Sequence, residues 1–232
     1  MKIAIIPARS GSKGLKNKNI IELCGKPMMV YSIEAALKSE CFSRVIVSTD
    51  SEEYGKIAVD AGAEVIYRGE EVSNDKASTY MVLEDLFNKI DTKFDYFVLL
   101  QPTSPLRDEH HIIKAVNLFE SKIDDYDFLV SVKEAEHAGI LVKPIEDDLS
   151  LKHFDTDFAN YRRQDHKDYS PNGAIYIGKP EAYMKKKHFF GDKSLAYIMN
   201  SFDSVDVDTE LDYKFAALCM KEKLGSGTVK KI

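Results

Sequence analysis

Lys2-Ile-Ala-Ile-Ile-Pro7, followed at once by Ala8-Arg-Ser-Gly-Ser-Lys-Gly-Leu-Lys-Asn-Lys-Asn19, is the stretch from which the fold can be read. A short apolar run that ends in a glycine-rich polar loop reads as a buried strand leading to an anion site. Gly11 and Gly14 let the backbone turn tightly and bring N–H groups close to a ligand. Arg9, Lys13, Lys16 and Lys18 supply fixed positive charge, while Ser12 and Asn19 supply neutral hydrogen-bonding groups. With Lys2, five cations fall within the first 18 residues of a chain whose net charge is -6. That contrast argues for a local anion and against a general basic surface.

Two common phosphate motifs are excluded by their letters. Gly11-Ser-Lys-Gly14 lacks both the spacing and the terminal Lys-Ser/Thr of a Walker A loop, and it has only two of the three glycines of a dinucleotide fingerprint. No helix is expected directly after Gly14, because Asn17 and Asn19 interrupt before Gly25-Lys-Pro27. Spacing alone still permits a solvated loop with incidental lysines.

Outward from this loop, β-rich runs alternate with helical patterns. Strands are predicted at Ile3–Ile6, Arg44–Ser48, Ala63–Tyr67, Tyr96–Leu100 and Asp127–Val132. Between them, Met28–Lys38, Glu52–Ala61, Ala77–Ile90 and Glu109–Ser121 carry apolar residues at three- and four-residue intervals. This order predicts an α/β fold of three layers, a mainly parallel sheet with helices on both faces. Ligands of such sheets lie beyond the carboxyl ends of the strands. The segments with chemistry fall there: 8–19, Thr49-Asp50, Arg68, and Gln101–Arg107. After Val132 the alternation breaks, and residues 133–170 are polar with Pro144, Glu146-Asp-Asp148 and Tyr161-Arg-Arg163, until Gly173–Ile177 resumes it. Such an excursion inside a compact domain is usually functional or contacts a partner.

Composition narrows the function classes. The 232 residues, 44% hydrophobic, suit one sizeable domain, 1–232. The acidic balance excludes nucleic acid as the main partner. No apolar run of membrane-spanning length occurs, so no membrane partner is expected. Cys24, Cys41 and Cys219 are odd in number and widely spaced, as thiols in a reducing cytoplasm are. His110 and His111 are adjacent and cannot share a helix face, which argues against a metal there. The end, 225–232, reads as a flexible tail.

Asp206 and Asp208, in Ser204-Val-Asp-Val-Asp-Thr, alternate with valines, so an extended backbone puts both carboxylates on one face. Two such oxygens beside a phosphate loop suit Mg²⁺, which takes few protein carboxylates and fills its shell with phosphate and water. The same letters also allow an edge strand ending in a helix cap at Asp208 or Thr209, with Glu210 in the first turn.

The opening string, with Leu100-Gln-Pro-Thr-Ser-Pro-Leu-Arg107, Arg162-Arg-Gln-Asp165, Pro171-Asn-Gly-Ala-Ile-Tyr-Ile177 and Asp206-Val-Asp-Thr-Glu-Leu-Asp212, resembles the N-acylneuraminate cytidylyltransferases, the CMP-sialic acid synthetases. The landmarks occur in that family's order over roughly residues 1–222. The resemblance implies a Rossmann-like nucleotidyltransferase domain in which 133–170 is a dimerisation arm of a homodimer. It implies an Mg²⁺-dependent transfer of CMP from CTP to the anomeric hydroxyl of a nine-carbon 2-keto-3-deoxy sugar acid, with pyrophosphate released. Arg9, Ser12, Lys13 and Lys18 are then expected on the triphosphate, and Arg9 and Lys18 on the leaving group. Asn19 is expected on the nucleotide or α-phosphate, and Arg68 and Ser78 on base and ribose. Gln101, Thr103, Ser104, Arg162 and Asn172 are expected on the sugar, Asp206 and Asp208 on the metal, with Asp208 also helping to deprotonate the attacking hydroxyl.

Some readings stay open beside these. Ser78 also suits a helix start, Pro102-Thr-Ser-Pro105 a plain connection, and Asn172-Gly173 a turn before a strand. Ser170 stands before Pro171 where relatives often carry a second basic residue, which leaves open how the acceptor's carboxylate or distal groups are read; legionaminic acid stands close behind N-acetylneuraminic acid because the same motifs serve both. From other classes, a non-catalytic nucleotide-sugar binding protein should have lost the carboxylates and loop cations kept here, and a phosphate-loop kinase fails on the Walker spacing.

Overall fold

The computed structural model describes residues 1–12, 14–155, 157–160, 162 and 167–225. Its strands are β1 (Lys2–Pro7), β2 (Glu22–Leu23), β3 (Lys26–Pro27), β4 (Arg44–Thr49), β5 (Glu64–Tyr67), β6 (Tyr96–Leu99), β7 (Phe128–Glu134), β8 (Tyr169–Gly178) and β9 (Ser194–Ile198). The helices are α1 (Met28–Lys38), α2 (Glu52–Asp60), α3 (Thr79–Lys89), α4 (Glu109–Glu120), α5 (Pro180–Lys186) and α6 (Glu210–Gly225). Seven strands form one sheet in the order β5-β4-β1-β6-β8-β7-β9, and β2 and β3 form a small hairpin apart from it. Among these seven, β8 alone runs against its neighbours, pairing antiparallel with β6 and β7. The sheet is therefore mainly parallel, as the alternation predicts.

Period-two alternation explains the layers. Ala4 and Ile6 of β1, with Val45, Val47, Val98 and Leu100, pack against α1, α2 and α4 through residues such as Met29, Ile33, Tyr54, Ile112 and Phe119. Ile3 and Ile5, with Ile46, Phe97 and Leu99, pack on the opposite face against Leu83 and Leu86 of α3 and Tyr183 of α5. Each fully buried isoleucine contributes about 2–3 kcal/mol to stability. A third cluster joins Leu23, Met28 and Leu106 to Val205, Val207 and the buried face of α6.

The chain leaves β1 for β4 on one side and returns through β6 on the other. This reversal opens a crevice beyond the carboxyl ends of β1 and β6. β9, at the sheet edge, alternates only weakly in burial, and β8 carries a bulge. Val130 faces Tyr176 while Val132 faces Pro171, so the segment 172–175 bulges out of register opposite Ser131. Asn172-Gly173 is thus a bulge within β8 and not a turn before a strand.

The excursion leaves the sheet where Glu134 pairs with Tyr169, and the Ala135 amide donates to the Asp168 carbonyl at 2.8 Å. Between these strands the described residues form one 3-10 turn, Gly139–Leu141, and no α-helix. Gly225 closes α6, while the rest of the tail, 226–232, lies outside the described residues.

Candidate active site

The opening loop is pinned at both ends. Ser10 donates from its amide (2.8 Å) and its hydroxyl (2.7 Å) to the Asp50 carboxylate at the end of β4. Burial works to raise the Asp50 pKa, but the Ser10 hydrogen bonds prevail and hold it below the ordinary value. Asn19 is buried, and its Nδ2 donates to the Arg9 carbonyl at 2.9 Å, closing the loop on itself. Gly11 has φ +69°, a conformation that favours glycine. Gly14 is needed for a different reason: a Cβ there would stand 2.8 Å from the Asp208 carbonyl oxygen.

Two loop cations face carboxylates across a crevice. Lys18 Nζ pairs with Asp208 Oδ1 at 2.7 Å, and Arg9 Nη2 with Asp75 Oδ1 at 3.0 Å. Arg9 Nη1 also donates to the Ser73 carbonyl at 3.3 Å.

Arg68, just past β5, is 7% exposed, and its Nε and Nη1 find no hydrogen-bond partner among the described residues. Burial lowers its pKa, Asp50 opposes that, and Arg9 adds to it. A guanidinium stays charged regardless. A buried charge without a full set of partners is costly, which makes the position a receptor for an anion or a polar base edge.

Asp206 presents the opposite case. Its Oδ1 is buried without a partner, and its pKa is raised. Burial is the main cause; a hydrogen bond from Thr103 and the charge of Lys18 oppose it, and the charge of Asp208 adds to it. An orphaned, repelled carboxylate oxygen next to a second carboxylate fits a hard divalent cation. Among the described residues no three metal-ligating groups gather, so phosphate and water would complete the shell.

Ser204 lies in a turn and the segment 205–208 joins no strand of the sheet; the Val207 amide donates instead to the Thr103 carbonyl at 2.8 Å. Val205 and Val207 are buried, and both aspartates line the crevice. The capping duty falls to Thr209 and Asp212. The Thr209 amide donates to Asp212 Oδ2 at 2.7 Å, and the Asp212 amide donates to Thr209 Oγ1 at 3.3 Å. Asp208 is thereby left to the site.

The crevice is a cavity of about 840 Å³. Of the residues singled out from the sequence, Arg9, Ser12, Lys18, Asn19, Arg68, Gln101, Thr103, Asp206 and Asp208 line it. Others lie elsewhere. The Ser78 hydroxyl accepts from the Met81 amide at 3.3 Å, so Ser78 caps α3, and it lines a second cavity. Ser104 is fully buried and off the cavity wall. Asn172 is also buried: its Nδ2 donates to Ser204 Oγ at 2.8 Å and its Oδ1 accepts from Ser131 Oγ at 2.6 Å. These bonds fix the bulge, and Asn172 itself is not on the cavity wall. Arg162 is exposed on the excursion. Lys13 and 163–165 lie outside the described residues.

The second cavity, about 440 Å³, was not foreseen from the sequence. Tyr80, Tyr176, Tyr183, Lys187, His188, Phe189 and Phe190 line it, and it shares Thr79, Leu99 and Gln101 with the first. The Phe189-Phe190 pair was the available signal, since an apolar pair of which one member stays exposed is unusual in a turn. Gln101 sits on the common wall, and Gly173 (φ +77°) makes room for it: a Cβ there would stand 2.7 Å from Gln101 Oε1 and 3.3 Å from Asp206 Oδ2. Arg107, wholly buried, fixes the same turn. Its Nη2 donates to Ser32 Oγ at 2.7 Å and to the Gln101 carbonyl at 3.2 Å, and its Nε to the Ala174 carbonyl at 3.3 Å. Burial pushes its pKa down to about 10.

Fold and site together define a class: an α/β nucleotidyltransferase, with a cationic loop and a carboxylate pair across the crevice between β1 and β6. The chain belongs to the cytidylyltransferase family, whose sequence profile matches residues 3–212. It is 47% identical over 221 residues to an N-acylneuraminate cytidylyltransferase of Escherichia coli O18:K1:H7 (strain RS218 / NMEC), an alignment that takes in 95% of this chain and 52% of the relative. The chain thus spans about half the length of that curated relative. It is 33% identical to a CMP-N,N'-diacetyllegionaminic acid synthase of Legionella pneumophila, covering 94% of this chain and 96% of that protein. Among solved structures, a CMP:2-keto-3-deoxy-manno-octonic acid synthetase complexed with CTP superposes with a TM-score of 0.71 over 96% of this chain and 99% of its own. At 16% identity that likeness speaks to the fold alone.

Proposed function

We propose that this chain condenses CTP with a nine-carbon 2-keto-3-deoxy sugar acid, giving the CMP-sugar and pyrophosphate. The observation that carries this is the pair of cavities sharing Thr79, Leu99 and Gln101, one charged and one aromatic. A triphosphate suits the first and a sugar ring the second, and the wall between them is where the two would react. N-acetylneuraminic acid is the first acceptor to consider, because the E. coli relative at 47% identity is an N-acylneuraminate cytidylyltransferase. Legionaminic acid is the second reading, supported by the Legionella relative, which this chain matches over 96% of its length.

Arg9, Ser12 and Lys18, with Lys13 beside them, bind the triphosphate; Arg9 and Lys18 stabilise the charge that develops on pyrophosphate as it leaves. Each exchanges a carboxylate partner for phosphate oxygen when CTP enters. Arg68 takes the nucleotide in its buried pocket, and Asn19 holds the loop against the α-phosphate side. Gln101 and Thr103 orient the acceptor, while Ser104 and Asn172 act from below as support for that turn and the bulge. Arg162, a planar donor suited to carboxylates, reaches the acid group of the acceptor from the excursion. Asp206 and Asp208 would hold Mg²⁺, which neutralises triphosphate charge and acidifies the attacking hydroxyl when bound. Asp208 accepts that hydroxyl's proton.

The excursion makes the chain a homodimer, an inference supported by exposed apolar residues there, among them Val142, Ile145, Leu149 and Leu151. We place the reaction in the cytoplasm, where three free cysteines are compatible with a reducing compartment.

The test is pyrophosphate release from CTP and Mg²⁺ with sialic, legionaminic, pseudaminic and octulosonic acids in parallel. Release with a nine-carbon acid, abolished by EDTA, is the expected result. A protein that binds CTP yet stays silent with all four would overturn the reading in favour of a nucleotide-sugar binding protein.

A further inference from the structure

The aromatic cavity contains one residue that its rings do not explain. Tyr80 comes from α3, Tyr176 from β8, Tyr183 from α5, and Phe189 and Phe190 from the turn after α5. These rings suit the apolar faces of a sugar ring. No carboxylate lines this cavity among the described residues, yet Lys187 does. Lys187 ends α5 in the left-handed conformation (φ 63°, ψ 11°), held by its amide donating to the Tyr183 carbonyl at 2.7 Å. Its Nζ lies 4.6 Å from the centre of the Tyr80 ring. Among the described residues it has no carboxylate partner, whereas Lys18, Lys89 and Lys179 each pair with an aspartate. A ring face attracts an ammonium but leaves its N–H groups unspent.

Lys187 also has a definite place along the cavity. It lines the second cavity and not the first, so it is set away from the wall shared with Gln101. Tyr176 marks the near end, since it pairs across the sheet with Leu99 of the shared wall. An acceptor whose anomeric 2-hydroxyl attacks phosphorus must put C1 and C2 at the shared wall, beside the carboxylates. The far side of the sugar ring, which carries the C5 substituent and the C7–C9 chain, then lies in the second cavity, which Lys187 lines.

We propose, resting on the acceptor reading above, that Lys187 is the specificity-determining residue for the distal end of the sugar acid. Held by Tyr80, its ammonium donates hydrogen bonds to hydroxyl oxygens on C7–C9 and favours a hydroxylated tail over one that is deoxy at C9. A methyl in that place would leave the ammonium unpaired in a desolvated pocket, and sites built around a hydroxyl reject analogues that lack it.

The experiment compares kcat/KM for N-acetylneuraminic acid and its 9-deoxy analogue, at saturating CTP and Mg²⁺, in the unmodified protein, Lys187→Gln and Lys187→Arg. Glutamine removes the charge and shortens the reach of the side chain while meeting the same left-handed backbone, and arginine keeps both charge and reach. The expected result is a preference of at least tenfold for the 9-hydroxy acid in the unmodified protein. In K187Q that preference falls at least fivefold through the KM of the hydroxylated acid, with the KM for CTP unchanged, and K187R keeps most of it. An unmodified protein that turns over both acids equally, or a K187Q variant with an unchanged ratio, overturns the assignment while leaving the cytidylyltransferase reading intact. Silence of the unmodified protein with both acids overturns that reading, and the assignment with it.

Discussion

Arg68 and Asp206 are the two residues whose physical state is least settled by the protein itself. One is a buried cation with unpartnered nitrogens, the other a buried carboxylate with an unpartnered oxygen, and both face the 840 Å³ cavity. Neither contributes to the stability of the unliganded chain in the way its neighbours do. Asp50, by contrast, is held ionised first by its hydrogen bonds from Ser10, with the charge of Arg68 adding to them. Replacing Arg68 with Met should therefore leave the unliganded protein as stable as before, or more stable by about 1 kcal/mol, because a desolvated charge is exchanged for an apolar side chain. The same change should weaken CTP binding at least tenfold. Urea unfolding and calorimetric titration check the two halves separately, and an unchanged CTP affinity would remove Arg68 from the nucleotide site.

Between elements, a half-buried charge network does the fastening. Lys223 of α6 pairs with Asp108 Oδ2 at 2.8 Å and Asp203 Oδ1 at 2.7 Å, and donates to the Leu106 carbonyl at 2.7 Å. His111 of α4 bridges the same aspartates, its Nδ1 2.8 Å from Asp108 and its Nε2 3.4 Å from Asp203. This ties the start of α4, the end of α6 and the turn before Asp206 together, so it bears on the carboxylate pair without touching it. Burial works to lower the His111 pKa, but the two aspartates prevail and raise it. Both aspartates are held well below the carboxylate range: burial opposes this, and His111 and Lys223 outweigh it. Tyr197, raised by burial and then by Asp108 and Asp203, borders the same group, and Glu222 lines the cavity beside it. A raised histidine stabilises fully below its unfolded value of 6.5 and loses that contribution as pH climbs through its folded value. The depressed aspartates contribute above their unfolded value of 3.8 and lose it only in strong acid. The stability difference between the unmodified protein and His111→Gln should thus be greatest below the ordinary histidine value of 6.5 and shrink as pH rises above it. Urea midpoints on both sides of that value test it, and a gap that is constant with pH would contradict it.

At the scale of the whole molecule, the sheet brings to one place groups that are far apart in the chain. Arg9 follows β1, Arg68 follows β5, Gln101 follows β6, and Asp206 follows β9. They meet because the connections reverse between β4 and β6 around the central β1. An unliganded site with repelled carboxylates predicts stabilisation by metal that is separate from catalysis. Mg²⁺ should raise the melting temperature of the unmodified protein, in step with about 2.7 kcal/mol at a hundred times the dissociation constant. Asp206→Asn should lose most of that rise while starting from an equal or higher melting temperature without metal. Thermal melts with Mg²⁺ and with EDTA decide it, and an equal Mg²⁺ shift in both proteins would place the metal elsewhere.

Much of this was legible in the letters because it depends on local periodicity. The run Lys2–Pro7 and its glycine loop, the alternating strands and helices, and the alternation of Val205 and Val207 with Asp206 and Asp208 each follow from spacings of two or of three to four residues. Such spacings determine which face is buried and which strand ends carry polar groups. What the letters could not decide depends on neighbours distant in sequence. Ser78 caps α3 and lines the second cavity, not the first, and Asn172 is consumed by Ser131 and Ser204, although as isolated residues both read equally well as ligands. The aromatic cavity needs α3, β8 and α5 to converge, and the bulge in β8 exists only against Ser131 of β7. Local sequence chooses the element and its buried face, whereas a hydrogen-bonding side chain goes to whichever partner the assembled chain leaves nearest, and only the tertiary structure decides which that is.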